Sequence, residues 1–93
     1  MAAPTSEVES GAVLNRFAGN LRQERLMAGL SQETLAELAG IHRTEVSLLE
    51  REKREPRMAT LIALAGALDV SVGVLVKGIK WDGGTMTLKT GRS

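Results

Sequence analysis

Apolar residues recur at intervals of three and four along most of this chain, a spacing that places them on one side of an α-helix. The pattern predicts an all-α fold with five helices. They run from about Val13 to Ala28, from Ser31 to Gly40, over 42–51, from about Met58 to Leu68, and over a short stretch after Ser71. Ser31 is a favoured N-cap residue, and Gly40 is a favoured residue for ending a helix.

The two ends of the chain break this periodicity. Residues 1–11 combine proline, glycine, serine and threonine with two glutamates, a composition typical of a flexible arm. Beyond residue 76, apolar residues alternate on either side of a Gly-Gly turn, which predicts a short β-hairpin or an extended arm. Those apolar residues are Ile79, Trp81, Met86 and Leu88. The chain thus divides into an arm over 1–11, a helical domain over 12–76 and an extension over 77–93.

Composition narrows the chemistry that this chain can perform. Its 93 residues include no cysteine and one histidine, so disulfides, thiolate sites and other metal sites are not expected. No nucleophile is paired with a base, which makes an enzyme the weakest interpretation, and no cofactor is expected. No run of about 18 apolar residues is present, so a membrane is not an expected partner. The net charge of +1 does not by itself indicate a nucleic-acid partner.

Residues 32–51 have the spacing of two helices that cross through a short turn. Ala36 is small enough to let the next helix approach closely, and Gly40 can take the positive φ that the turn requires. Val46 is a branched residue that can fill the crossing. Each feature is common, but their joint spacing is moderately specific for a helix-turn-helix.

The third helix has an apolar side and a mixed side. A B-DNA major groove is about 12 Å wide and admits a helix of this kind. On the mixed side, Arg43 can offer two donors to a guanine edge, and Leu48 can touch a thymine methyl group. Thr44 and Ser47 can reach phosphates or base edges. We interpret this side as a surface that reads DNA.

An ion pair is expected behind this surface. Arg25 continues the apolar stripe of the first helix, and Glu50 lies next to the inward side of the third helix. A partly buried pair of this kind fixes orientation more than it adds stability. The pair would hold the third helix rigidly outward.

From about residue 20 to residue 76, the chain resembles the lambda-repressor-like helix-turn-helix family, the Xre/Cro type of bacterial and phage regulators. The segments that carry the resemblance are LSQETLA, HRTEVSLLER and LAGALDVSV, and their combination is highly specific. The resemblance implies five helices, of which the second and third form the helix-turn-helix. It also implies a transcriptional regulator that binds double-stranded DNA in a sequence-specific manner.

The resemblance also implies roles for individual residues. Gln32 would bind backbone phosphate and buttress the recognition helix, and Arg51 and Lys53 would bind phosphate. Arg25 and Glu50 match the structural ion pair of the family. The residues that would face the major groove are His42, Arg43, Thr44, Ser47 and Leu48.

Three positions depart from the family pattern. Glu45 stands where the family often has Tyr, Thr or Ser, and it could accept a hydrogen bond from cytosine N4, repel phosphate or remain solvated. Glu52 replaces the usual helix-ending glycine, so the turn is expected to run on or to end differently. Arg57 replaces a common Ser or Thr cap of the fourth helix.

We expect a homodimer with two recognition helices about 34 Å apart on a near-palindromic operator, acting in the cytoplasm at the nucleoid. Trp81 could cover its own domain, although a contact with a second subunit is favoured. Two alternatives remain open: an antitoxin or restriction–modification controller with a protein partner, and a helix-turn-helix module repurposed for protein interaction. The residues expected at the dimer contact are Val74, Ile79, Trp81, Met86 and Leu88.

Overall fold

The structure is a computed structural model that describes residues 7–81 and 86–88. Two short strands follow five helices, which have the predicted order, so the mostly helical fold is confirmed. The helices are α1 (Glu7–Met27), α2 (Gln32–Ala39), α3 (Arg43–Glu50), α4 (Met58–Leu68) and α5 (Val72–Leu75). The strands are β1 (Ile79–Trp81) and β2 (Met86–Leu88).

α1 begins earlier than the apolar periodicity predicts. The predicted start lies near Val13, but the helix spans 21 residues from Glu7. Residues 7–11 of the predicted arm are therefore helical, and residues 1–6 lie outside the described residues. The composition that suggests an arm also contains two glutamates, and negative charge at the start of a helix suits its dipole.

The first four helices end with the same backbone geometry. In each case a residue just beyond the helix adopts the left-handed conformation, and the chain closes back onto the last turn in a Schellman motif. After α2, for example, the Ile41 N–H donates to the Ala36 carbonyl at 3.0 Å. The left-handed residues are Gly29, Gly40, Glu52 and Asp69, with φ of 73°, 72°, 63° and 58°.

Glu52 does not alter the end of α3 in the way that the sequence suggests. The helix ends at Glu50, and Glu52 adopts the conformation that a glycine would favour, at a cost of about 1–2 kcal/mol for a residue with a Cβ. Asn15 Nδ2 of α1 donates to Glu52 Oε2 at 2.9 Å, which anchors the side chain from outside the turn. The expected departure at Glu52 is therefore absent.

All five helices contribute to one core, which is aliphatic except for Phe17. α3 contributes Val46 and Leu49, which are 0% and 1% exposed. Because both residues lie on one side of a helix of eight residues, the opposite side of α3 is directed away from the core. The buried residues that pack together in this core are Phe17, Leu21, Leu35, Ala36, Val46, Leu49, Leu64, Ala65, Leu68 and Leu75.

The C-terminal strands lie beside α1. β1 pairs with β2 in antiparallel register, with Ile79 opposite Leu88, and β2 contacts α1. The buried side chain of Asn20 donates to the carbonyl groups of Leu75 and Lys77, both at 3.0 Å, so the chain that leaves α5 is also tied to α1. Residues 82–85 and 89–93 lie outside the described residues.

Candidate nucleic-acid interface

The outer side of α3 carries the residues that the sequence assigns to base readout. His42 is the N-cap residue of α3, and its exposed side chain makes no capping hydrogen bond. Arg43 and Thr44 are exposed, whereas Ser47 and Leu48 are half-buried. These five side chains occupy the first two turns of the helix and its cap, so one rigid element presents them together.

An ion pair between α1 and α3 lies behind this surface. Arg25 Nε donates to Glu50 Oε2 at 2.6 Å, and Arg25 Nη2 donates to Glu50 Oε1 at 3.0 Å. The two side chains are 10% and 4% exposed, so the pair is largely removed from water. This bidentate geometry fixes the rotation of α3 relative to α1 because two parallel bonds leave the guanidinium little freedom.

Two further hydrogen bonds complete the surroundings of this pair. Arg25 Nη1 donates to the Leu30 carbonyl at 2.8 Å, in the turn between α1 and α2. Gln32 Nε2, at the first position of α2, donates to Glu50 Oε1 at 3.1 Å. Gln32 is half-buried, and this hydrogen bond connects α2 to α3. The family resemblance implies two roles for Gln32, and this contact is consistent with the first, support of the recognition helix.

The electrostatics of Arg25 follow from these contacts. The hydrogen bond to Glu50 raises the pKa of the Arg25 guanidinium above its ordinary value, and the negative charge of Glu50 adds to this effect. Burial opposes the increase, because it disfavours the charged form, but it does not cancel it. Arg25 is therefore a permanent cation that ties α1 to α3 and to the turn before α2.

A second ion pair connects α3 to the loop before α4. Arg54 Nη1 donates to Glu45 Oε1 at 2.5 Å, and the two side chains are 53% and 16% exposed. This contact could not be predicted from the sequence, because the two residues are nine positions apart and Arg54 lies in a loop without periodicity. Glu45 is thus neither a free carboxylate facing phosphate nor fully solvated.

This ion pair lines a groove of about 440 Å³ on the outer surface. His42, Thr44 and Leu48 of the base-reading set share the groove with Glu45 and Arg54. The remaining lining residues are Ile41, Arg57 and Thr60. The groove therefore joins the beginning of α3 to the charged loop and the first turns of α4.

The residues assigned to phosphate binding border the same surface. Arg51 is exposed, and its Nε donates to Ser47 Oγ at 3.1 Å, which orders the arginine along α3. Lys53 is exposed in the loop. Arg57 occupies the N-cap position of α4 without a capping hydrogen bond from its side chain, as expected for an arginine at this position. Basic side chains therefore recur between the end of α3 and the start of α4, interspersed with Glu52 and Glu55.

The residues assigned to a dimer contact belong to α5 and the two strands, which pack against α1 and α4. Val74 is half-buried on α5, and half-buried Ile79 packs against the core of its own chain. The backbone of Trp81, Met86 and Leu88 is described in the two strands, and their side chains lie outside the described part of the structure.

Within residues 7–81 and 86–88, no helix is both long enough and apolar enough for a membrane crossing. In the same part of the chain, no group of three or more His, Asp or Glu residues is arranged to hold a metal ion.

Comparisons with known proteins agree with this geometry. The helix-turn-helix family model HTH_3 matches residues 21–75. Control protein C.SmaI of Serratia marcescens is 47% identical over 60 residues, which are 64% of this chain and 71% of that protein. The restriction-modification controller protein C.AhdI from Aeromonas hydrophila has a TM-score of 0.67 at 42% identity, over 69% of this chain and 97% of that chain. The DNA-binding domain of the P22 c2 repressor has a TM-score of 0.64 at 31% identity, over 67% of this chain and 82% of that chain.

Proposed function

Because this chain belongs to the HTH_3 helix-turn-helix family and is a DNA-binding regulator of transcription, we propose that it reads double-stranded DNA with α3 in the major groove. The observation that carries this proposal is the orientation of α3. Val46 and Leu49 are buried in the core, so the opposite side of the helix faces outward, and the Arg25–Glu50 pair fixes its rotation. The relatives named above are regulators rather than enzymes.

The proposed surface divides into base contacts and phosphate contacts. Positions on the presented side of α3 and at its cap would read bases, because a helix in the major groove directs such side chains to base edges. We propose that Gln32, Arg51 and Lys53 contact the DNA backbones that flank this side. The proposed base-reading residues are His42, Arg43, Thr44, Ser47 and Leu48.

Selection from random duplex DNA, followed by a salt titration on the selected sequence, tests this proposal directly. We expect a defined preferred sequence and an affinity that falls as salt increases, because bound cations release counterions from the phosphates. Retention that shows neither sequence preference nor salt dependence would contradict DNA readout.

Arg43→Ala should weaken binding to the selected sequence by about 1–3 kcal/mol and relax the preference at one base pair, because a bidentate contact to guanine is lost. Fluorescence anisotropy with the selected duplex and with single-base variants measures both effects. Gln32→Ala is the control, since loss of a backbone contact should weaken binding to all sequences alike. An equal loss on every sequence for Arg43→Ala would argue against base readout by this residue.

We also propose that the regulator is a homodimer and that α5 and the extension over 77–93, with a hairpin formed by its two strands, provide the contact. Support comes from the groove beside α3, because neither Val74 of α5 nor Ile79 of β1 is among the residues that line it. Two copies would place their recognition helices about 34 Å apart, one turn of the duplex. The proposed contact residues are Val74, Ile79, Trp81, Met86 and Leu88.

Val74→Glu tests the proposed dimer contact, because a carboxylate buried between two subunits would be desolvated without a partner. We expect monomers by sedimentation velocity and at least tenfold weaker operator binding. Leu38→Glu is the matched control: Leu38 is 59% exposed on α2, far from α5 in sequence, and its variant should remain dimeric. A Val74→Glu protein that stays folded and dimeric would exclude this contact.

A more specific role is favoured by the similarity to C.SmaI and to C.AhdI, which are named as control and controller proteins. We propose that this chain controls expression of a restriction–modification system from the nucleoid in the cytoplasm. The test is binding to DNA upstream of a restriction gene adjacent to its own gene. Preference for an unrelated promoter would favour a general repressor, and co-purification of a stable protein partner would favour an antitoxin.

A further inference from the structure

The ion pair between Glu45 and Arg54 lies beside the proposed DNA-reading residues, and it bears on which of the three uses of Glu45 left open by the sequence applies. Glu45 is in the first turn of α3, and its carboxylate lines the same groove as Thr44 and Leu48. Its side chain is only 16% exposed, so the carboxylate is held at the groove wall rather than extended into solvent. Arg54 is 53% exposed and reaches this carboxylate from the loop before α4.

The hydrogen bond from Arg54 engages only one of the two carboxylate oxygens of Glu45. Arg54 Nη1 engages Oε1 of Glu45, and within the described residues no donor engages Oε2. A carboxylate oxygen in the major groove can accept a hydrogen bond from an exocyclic amino group, and the N4 amino group of cytosine is the usual partner of Glu. Adenine N6 offers the same donor chemistry.

Arg54 also removes the obstacle to placing a carboxylate beside DNA. An unpaired Glu45 would bring negative charge close to two phosphate backbones. The guanidinium in direct contact cancels most of that charge at distances longer than the ion pair itself, because opposite charges in contact behave as a dipole. The same contact restricts the side-chain rotamers of Glu45, so the remaining oxygen occupies a defined position.

We propose that Glu45 is a specificity-determining residue that accepts a hydrogen bond from the N4 amino group of a cytosine, and that Arg54 is the positioning residue that neutralises and orients it. This proposal rests on the proposed readout of DNA by α3, and it adds a base contact at the loop edge of that surface. Alternatively, the pair would have only a structural role and would connect the loop to α3. The two roles predict different effects of substitution on base preference.

The experiment measures base preference, which loss of a purely structural contact would not change. Selection from random duplex DNA is performed with the full chain and with four variants: Glu45→Gln, Glu45→Ala, Arg54→Ala and Arg54→Lys. We expect the full chain to select cytosine at one position beside the base pair that Arg43 reads. Glu45→Ala should lose this preference, a decrease of about fivefold to a hundredfold in discrimination.

Glu45→Gln distinguishes a contact with the N4 amino group of cytosine from a contact with the N6 amino group of adenine. A glutamine amide can both donate and accept, and it pairs bidentately with adenine N6 and N7. Glu45→Gln should therefore shift the preference at this position from cytosine toward adenine. If the full chain itself selects adenine there, the carboxylate reads adenine N6, and the assignment to cytosine is overturned.

The Arg54 variants test positioning. Arg54→Ala keeps the carboxylate but removes its partner, so the preference at the same position should fall severalfold, while Arg54→Lys should restore part of it. In the Glu45→Ala background, Arg54→Ala should cause no further change in preference, because the two residues act through one contact. Lys53→Ala is the matched control, since it removes a positive charge from the same loop and leaves the pair intact.

The outcomes separate this inference from the proposed function. If all Arg54 and Glu45 variants retain the base preference of the full chain and lose affinity equally on every sequence, the pair has only a structural role and the inference is overturned. The readout of DNA by α3 would survive that result. A full chain that selects no sequence at all would instead contradict the proposed function itself, whatever the variants do.

Discussion

Glu50→Ala is expected to lower the free energy of unfolding by about 3–5 kcal/mol, because it leaves the buried guanidinium of Arg25 without a counter-charge. It also removes the acceptor of Gln32 Nε2. A domain of this size has a total stability of only about 5–15 kcal/mol, so much of it would be lost. Urea unfolding followed by circular dichroism measures the change.

Arg54→Ala provides the control for this prediction. It breaks the other ion pair, but Arg54 is about half exposed, and exposed pairs contribute about 1 kcal/mol or less. The two variants therefore compare loss of a buried partner with loss of an exposed one. A loss below about 1 kcal/mol for Glu50→Ala would mean that Arg25 finds water or another acceptor when its partner is removed.

A double variant separates stability from orientation. Arg25→Met with Glu50→Leu replaces both charges by apolar groups of similar size, which should recover most of the lost stability. Affinity for DNA should remain low, because α3 has lost the bidentate contact that fixes its rotation. Recovery of full affinity in the double variant would show that core packing alone orients α3.

The contribution of the Arg25 charge to the free energy of unfolding should not vary with pH below the ordinary pKa of arginine. Its pKa in the folded chain is raised above the ordinary value of arginine by the hydrogen bond to Glu50. The stabilisation from its charge is therefore complete below that ordinary value, and it is lost only as the pH rises through the raised pKa.

Leu35→Ala is expected to lower the free energy of unfolding by about 2–5 kcal/mol, the second large effect. Leu35 is 0% exposed on α2 and belongs to the core against which α3 and α4 pack. Removing its methyl groups forfeits their burial and leaves a cavity, because close-packed neighbours relax only partly. Differential scanning calorimetry and urea unfolding report the change.

Leu38→Ala is the matched control for this substitution. It makes the same chemical change one turn later on the same helix, at a side chain that is 59% exposed. Its effect should stay within about 0.5 kcal/mol, since an exposed leucine leaves no cavity. Equal effects of the two variants would indicate that helix propensity, and not core packing, sets the stability of α2.

The helix-turn-helix itself could be predicted from local patterns. The Ser31 cap is present, with its Oγ accepting from the Thr34 N–H at 3.0 Å, and Gly40 has the positive φ that the turn requires. Val46 fills the crossing, as its branched side chain and spacing indicate. These features depend on residues within one or two turns of each other, and the family comparison confirms the resemblance that they support.

The details of the DNA-reading surface could not be predicted in the same way. The contact of Arg54 with Glu45 depends on the path of the loop between α3 and α4, and loop residues carry no periodic signal. Asn15 and Glu52 meet across 37 positions for the same reason. The resemblance implied a bracing role for Gln32, but its hydrogen bond to Glu50 exists only because the crossing of α2 and α3 brings the two residues together.

The sequence by itself determined the order of the helices, the position of the helix-turn-helix and the side of α3 that faces outward, because apolar periodicity and capping act over a few neighbouring residues. Only the tertiary structure decided which charges on that surface are paired and which remain available to DNA. That outcome depends on distances between segments far apart in the chain, and these distances are set by how the helices pack.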